Sequence, residues 1–90
     1  MPGLRLRIHG RVQGVGYRAW TADAARELGL AGWVRNRRDG TVEALLIGHA
    51  DIIDTMVQRC QEGPPLARVE RIDRAATEEA ATGFAQLPTE

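Results

Sequence analysis

In Leu4–Arg5–Leu6–Arg7–Ile8–His9 apolar side chains alternate strictly with polar ones. A period of two puts Leu4, Leu6 and Ile8 on one face of a strand, so the chain must build a sheet with one buried side. Glycines at 10, 14 and 16 then turn the chain. Beyond them Tyr17, Trp20, Ala24 and Leu28 recur at helical spacing and Gly29 offers a left-handed stop, which predicts a helix over Arg18–Leu28.

The rest of the chain repeats this alternation of periods. Ala31–Asn36 and Thr41–Ile47 have strand character, and Asp39-Gly40 between them is a strong hairpin signal that makes them antiparallel neighbours. A second helix follows Gly48, with Ile53, Met56, Val57 and Cys60 on one stripe, Asp51 near its positive end, and Gly63-Pro64-Pro65 closing it. Leu66–Ile72 reads as a fourth strand whose alternation slips between Val69 and Ile72, the sign of a bulge. Arg74–Thr82 is ambiguous between a loop and a short helical turn, and Gly83–Leu87 is expected to add a short edge strand ended by Pro88. The expected fold is α+β: a ferredoxin-like βαββαβ sandwich, with an antiparallel sheet and two helices on one face. In it the first and second strands run parallel with the third between them. The loop after the first strand and the end of the second then emerge at one sheet edge, roughly 10 Å apart, room for a phosphate and a water.

Size and composition limit what such a fold can do. Ninety residues support one core, so residues 1–90 are expected to form a single domain. The longest aliphatic run is Ala44–Ile47, too short to span a membrane, and Arg5, Arg7 and Arg11 interrupt any signal-peptide core, which points to the cytoplasm. One cysteine, Cys60, and two histidines make a poor metal set, and no cofactor is expected. The twelve cations are all arginine, and with neither lysine nor serine the chain has no Walker lysine, Schiff-base lysine or serine nucleophile. Net charge is zero but unevenly spread: through Arg38 eight arginines face only Asp23 and Glu27, and the excess reverses from Asp39 onward. An anion would look first to the early segment.

That segment holds Gly10-Arg-Val-Gln-Gly14-Val-Gly16-Tyr-Arg18, a glycine-rich strand-to-helix loop whose free amides, helped by the helix dipole, can form an anion-binding concavity. Arg18 in the first helical turn opposes the dipole unless an anion lies between them, and its planar fork suits a phosphoryl group. Gly14-x-Gly16-x-x-Ala19 also fits a relaxed dinucleotide fingerprint, but that motif needs a doubly wound parallel sheet that 90 residues ending in a hairpin topology cannot supply. Asn36, the only asparagine, can orient a water without titrating, although beside Asp39-Gly40 it also reads as a turn former. His9 reads as a strand residue, Trp20 and Trp33 as packing residues, Cys60 as an inert core thiol, and Arg35, Arg37 and Arg38 as a solvated, anion-attracting rim. Nucleic-acid binding is not expected, because the third strand offers no aromatic for base stacking.

Taken together, Val12-Gln-Gly-Val-x-Tyr-Arg18, Gly32-Trp-Val-x-Asn36-x-x-x-Gly40-x-Val42-Glu43, Gly48 and Pro65-x-Ala67-x-Val69 resemble the acylphosphatase family over nearly the whole chain. The resemblance implies a hydrolase that splits acyl phosphates into carboxylate and inorganic phosphate; with so good a leaving group no metal is required, and the chain is expected to be a monomer. By position Arg18 matches the phosphate-binding arginine and Asn36 the water-orienting asparagine. The backbone of Val12, Gln13, Gly14, Val15, Gly16, Tyr17 and Arg18 would be the cradle for the substrate phosphoryl group, or for inorganic phosphate or sulfate. The competing reading is a non-catalytic anion-binding regulatory module on the same fold. At the carboxy terminus Phe84–Glu90 is a weaker strand than the family pattern, which puts the last strand in doubt.

Overall fold

The computed structural model describes residues 1–90. Its elements run β1 (Gly3–Arg11), α1 (Tyr17–Glu27), β2 (Ala31–Asn36), β3 (Val42–Ile47), α2 (Ala50–Glu62), β4 (Arg68–Thr77) and β5 (Phe84–Gln86). The sheet order is β4-β1-β3-β2-β5, which is the ferredoxin-like arrangement expected. β1, β2, β3 and β4 pair antiparallel, whereas β5 joins parallel to β2, so the sheet is mixed.

The buried face of β1 carries Leu6 and Ile8, and Val34, Val42, Ala44 and Leu46 continue it across β2 and β3. α2 lays Ile53, Met56, Val57 and Cys60 on this face, the stripe that the sequence predicts. Full burial of each larger aliphatic side chain contributes roughly 1.5–3 kcal/mol. α1 differs from expectation: Tyr17, Thr21, Ala22, Ala24 and Ala25 are buried, while Trp20 and Leu28 are only partly so. Small side chains let α1 lie close to the sheet, which leaves the larger Trp20 and Leu28 at the rim of the contact. Cys60 is buried, and burial pushes its thiol up to about 12, as befits an inert core group.

Two strands depart from their expected lengths. β4 runs on through Thr77, so Arg74–Thr77 is strand, neither loop nor helical turn. Its residues pair with Leu6, Arg5, Leu4 and Gly3 of β1, and backbone pairing extends the strand where side-chain alternation gives no cue. The expected bulge is present: the register shifts between His9 and Gly10, opposite Val69 and Arg71. β5 is only three residues long, but Phe84 enters the core.

On the open face of the sheet Glu43 of β3 is nearly buried, 9% exposed, and pairs with Arg5 at 3.0 Å and Arg35 at 2.9 Å. Arg7 and Arg37 stand at 3.7 and 3.6 Å. Arg35 also pairs with Glu90 at 2.7 Å, and both Arg5 and Arg35 lie over the Trp33 ring. The expected solvated rim is therefore corrected for Arg35 and Arg37, because the register sets Glu43 directly opposite Arg35.

Gly32 of β2 lies close against β3. Its φ is +134°, and a Cβ there would stand 1.8 Å from the Leu45 carbonyl oxygen. Gly32→Ala should cost at least about 2 kcal/mol, read as a lowered urea midpoint; an unchanged midpoint would contradict this placement.

Candidate active site

The strand-to-helix loop leaves β1 at the sheet edge where β2 ends. Gly14 and Gly16 take left-handed φ values of 73° and 79°, which open the turn and start the helix. Gly16 is the N-cap and supplies no side-chain acceptor, and the first turn holds no acid. No amide from Val12 through Gly16 donates to a carbonyl or side chain of the protein. Together with the free first-turn amides of α1 they form a run of unpartnered donors at the positive end of the helix.

Arg18 lines the same hollow as Gly14 and Gly16. One terminal nitrogen donates to the Leu87 carbonyl at 2.9 Å, and its Nε and other terminal nitrogen have no protein acceptor. The Leu87 amide in turn donates to the Val34 carbonyl at 2.8 Å. The short C-terminal segment thus anchors the guanidinium while leaving a fork of donors free.

Asn36 ends β2 and shares with Arg18 a cavity of about 160 Å³, lined also by Val12, Gly14, Gly16, Tyr17, Ala19 and Gln86. Its Oδ1 is buried and accepts no hydrogen bond. A buried acceptor left unpaired costs about 1–3 kcal/mol, and here it belongs to a residue that lines the same cavity as Arg18 and the loop glycines. The structure brings Arg18, Asn36 and the glycines of the loop together, as expected. Val12 and Tyr17 differ in that their side chains are fully buried, and the Tyr17 hydroxyl donates to the Cys60 carbonyl. They offer the cavity their backbone.

Gln13 does more than the sequence indicates. Its side-chain Nε2 donates to the carbonyls of Arg37 at 2.6 Å and Thr41 at 2.9 Å, which ties the loop to the β2–β3 turn. Nothing local in the sequence signals this bond, nor the Leu87 contact to Arg18 across 69 residues. The turn itself is closed by Asp39, whose carboxylate accepts from the Thr41 hydroxyl at 2.6 Å and the Thr41 amide at 3.0 Å.

A larger hollow of about 360 Å³ opens at the opposite end of the sheet, among Leu28, Leu30, Ile47, His49, Ile52 and the Glu78–Glu79 pair. Its apolar wall and two carboxylates are unsuited to an anion, whereas the smaller cavity is lined by Arg18 and the loop glycines.

Comparison with known proteins shows the family. The Acylphosphatase family model matches residues 4–86. The acylphosphatase of Azorhizobium caulinodans is 57% identical over 83 residues, 90% of this chain and 89% of that protein. That of Rhodospirillum rubrum is 52% identical over 92 residues, with 99% of each chain covered. The crystal structure of acylphosphatase from Bacillus subtilis superposes with a TM-score of 0.93 at 34% identity, covering 97% of this chain and 99% of that one.

The Thr41 hydroxyl, and then the Thr41 amide, hold the Asp39 carboxyl below the usual carboxylate range, with Arg7 and Arg37 adding to the effect. A folded-state pKa lowered in this way gives stability that is present above the unfolded value of about 3.9 and lost as pH falls through the folded one. Asp39→Asn should therefore unfold at a lower temperature than the parent at pH 7, and the two curves should converge below about pH 3.9. A gap independent of pH would contradict the assignment.

Proposed function

Because the chain belongs to the acylphosphatase family and is an acylphosphatase, we propose that the cavity at the start of α1 is where it hydrolyses acyl phosphates, with Arg18 and Asn36 as its catalytic residues. The observation that carries this reading is that Asn36, whose buried Oδ1 has no partner, lines the same small cavity as Arg18 and the glycines of the loop.

In the reaction proposed, the amides from Val12 to Arg18 and the free guanidinium donors hold the phosphoryl oxygens. They complement the charge of a loose, in-line transition state. Asn36 Oδ1 accepts a hydrogen bond from water and aims the water oxygen at phosphorus, opposite the leaving carboxylate. The new bond joins water oxygen to phosphorus, and the bond between phosphorus and the acyl oxygen breaks with its electron pair leaving on the carboxylate. The proton released by water passes to a phosphoryl oxygen of the substrate. An acyl phosphate has a good leaving group, so positioning and charge neutralisation suffice, with neither a covalent intermediate nor a metal.

The whole chain, 1–90, acts as one domain on a small-molecule substrate, with phosphate or sulfate as competing ligand. The charged side chains Arg68, Glu70, Arg71, Asp73 and Arg74 along edge strand β4 discourage edge-to-edge pairing and support a monomer. Arg5 and Arg35 over Trp33 occupy the one aromatic of the open face, which speaks against base stacking. No helix is long and apolar enough to cross a membrane, and the cytoplasm is the compartment proposed.

The division of roles separates two variants. Arg18→Gln should lower kcat/KM for benzoyl phosphate about 10²–10³-fold and weaken inhibition by phosphate in parallel. Asn36→Ala should lower kcat about 100-fold with phosphate inhibition nearly unchanged. Equal loss of phosphate inhibition in both would defeat the assignment, and failure of the parent to hydrolyse benzoyl or acetyl phosphate would favour the binding module.

A further inference from the structure

Asn36 and the phosphate loop belong to different strands, so a force is needed to fix the distance between the water position and the phosphoryl position. Backbone pairing does not provide it directly, because β3 lies between β1 and β2 and the loop begins after β1 has ended at Arg11. The one side chain that joins the loop to the β2–β3 turn by hydrogen bonds is Gln13. Both protons of its amide nitrogen are used, one on the Arg37 carbonyl at 2.6 Å and one on the Thr41 carbonyl at 2.9 Å. Arg37 follows Asn36 directly in the chain. The turn that receives these bonds is itself rigid. The Arg37 amide donates to the same Thr41 carbonyl at 2.8 Å, the Gly40 amide donates to the Arg37 carbonyl at 3.1 Å, and Asp39 closes the turn through Thr41.

From this we infer that the Gln13 side chain is a positioning residue for the hydrolysis: it clamps the phosphate loop to the turn and thereby sets Asn36, and the water that Asn36 holds, at the attack distance from phosphorus. The inference rests on the roles given above to Arg18 and Asn36. A primary amide is the fitting group, since it has two donors on one atom and meets two carbonyls a few residues apart. A glutamate there would turn acceptors toward acceptors. The Gln13 side chain uses its donors on the turn and not on the cavity, and a substitution of the side chain keeps the Gln13 backbone amide that belongs to the cradle. Its loss should therefore appear in the chemical step and not in phosphate affinity.

The test uses Gln13→Met, which keeps length and removes both donors without adding charge, and Gln13→Ala as a second variant should the first fail to fold. Each is measured for kcat and for inhibition by inorganic phosphate, alone and combined with Asn36→Ala. A misplacement of about 1 Å in a reacting pair costs on the order of 100-fold, so kcat should fall roughly 10- to 100-fold while the phosphate inhibition constant stays within about threefold. In the Asn36→Ala background the same substitution should cost less than about threefold more, because the residue through which Gln13 acts is already gone. Fully additive losses, weakening of phosphate inhibition in step with kcat, or a kcat within twofold of the parent in both variants would each overturn the inference. If Asn36→Ala alone leaves kcat intact, the role given to Asn36 falls and this inference falls with it. If Asn36→Ala is impaired and the Gln13 variants are not, only the clamp is wrong.

Discussion

A row of backbone amides without partners is the constraint around which this molecule is built. From Val12 through Gly16 no N–H finds a protein acceptor, and the amides of the first turn of α1 extend the row. Backbone donors are left unpaired in folded proteins only where water or a ligand takes them. The two left-handed glycines that turn the loop add no side chain that could fold back over it. The cation that follows, Arg18, adds positive charge at the positive end of a helix dipole, a local cost recovered only when an anion lies between them. The loop keeps these donors free at the expense of local stability.

The remainder of the fold supplies the counterparts. Because β1 and β2 run parallel with β3 between them, the end of β2 comes to the same sheet edge as the loop, and Asn36 joins the wall of the cavity. The C-terminal segment reaches the site from the other side. β5 pairs with β2, the Leu87 carbonyl accepts from Arg18, and the Glu90 amide donates to the Asn36 carbonyl at 3.0 Å. The weak-looking tail therefore contributes by its backbone what its side chains do not announce. On the opposite face Glu43 gathers the arginines of β1 and β2. Much of the positive charge that the early segment carries is thus neutralised away from the cavity, and Arg18 keeps its free donors.

Most of this was legible in the sequence, for a reason that differs from element to element. Strict alternation in Leu4–His9 and the Ile53, Met56, Val57, Cys60 stripe each report a single buried face, and both were found where expected. The loop and its arginine are contiguous, so their meeting needed no tertiary knowledge. Asn36 reads from sequence both as a turn former and as a site residue, and only the sheet order brings it beside the loop, on the same cavity as Arg18. The end of β4 was misread because Arg74–Thr77 has no buried side chain and is held by pairing alone. Arg35 and Arg37 were misread because their partner, Glu43, is visible only once the β2–β3 register is known. Gln13 looked like one more residue of the loop, its side-chain bonds lying 24 and 28 residues away.

The central claim is that these unpartnered amides, with Arg18, receive a phosphoryl group. It is tested most directly by following backbone and arginine side-chain N–H resonances while inorganic phosphate is added. The account predicts that amides of Gly14, Val15, Gly16, Tyr17 and Arg18, together with the Arg18 guanidinium, shift together and saturate at one common phosphate concentration. Saturating shifts confined to the N-terminus of α2 or to the arginines of the open sheet face, with the loop silent, would contradict it.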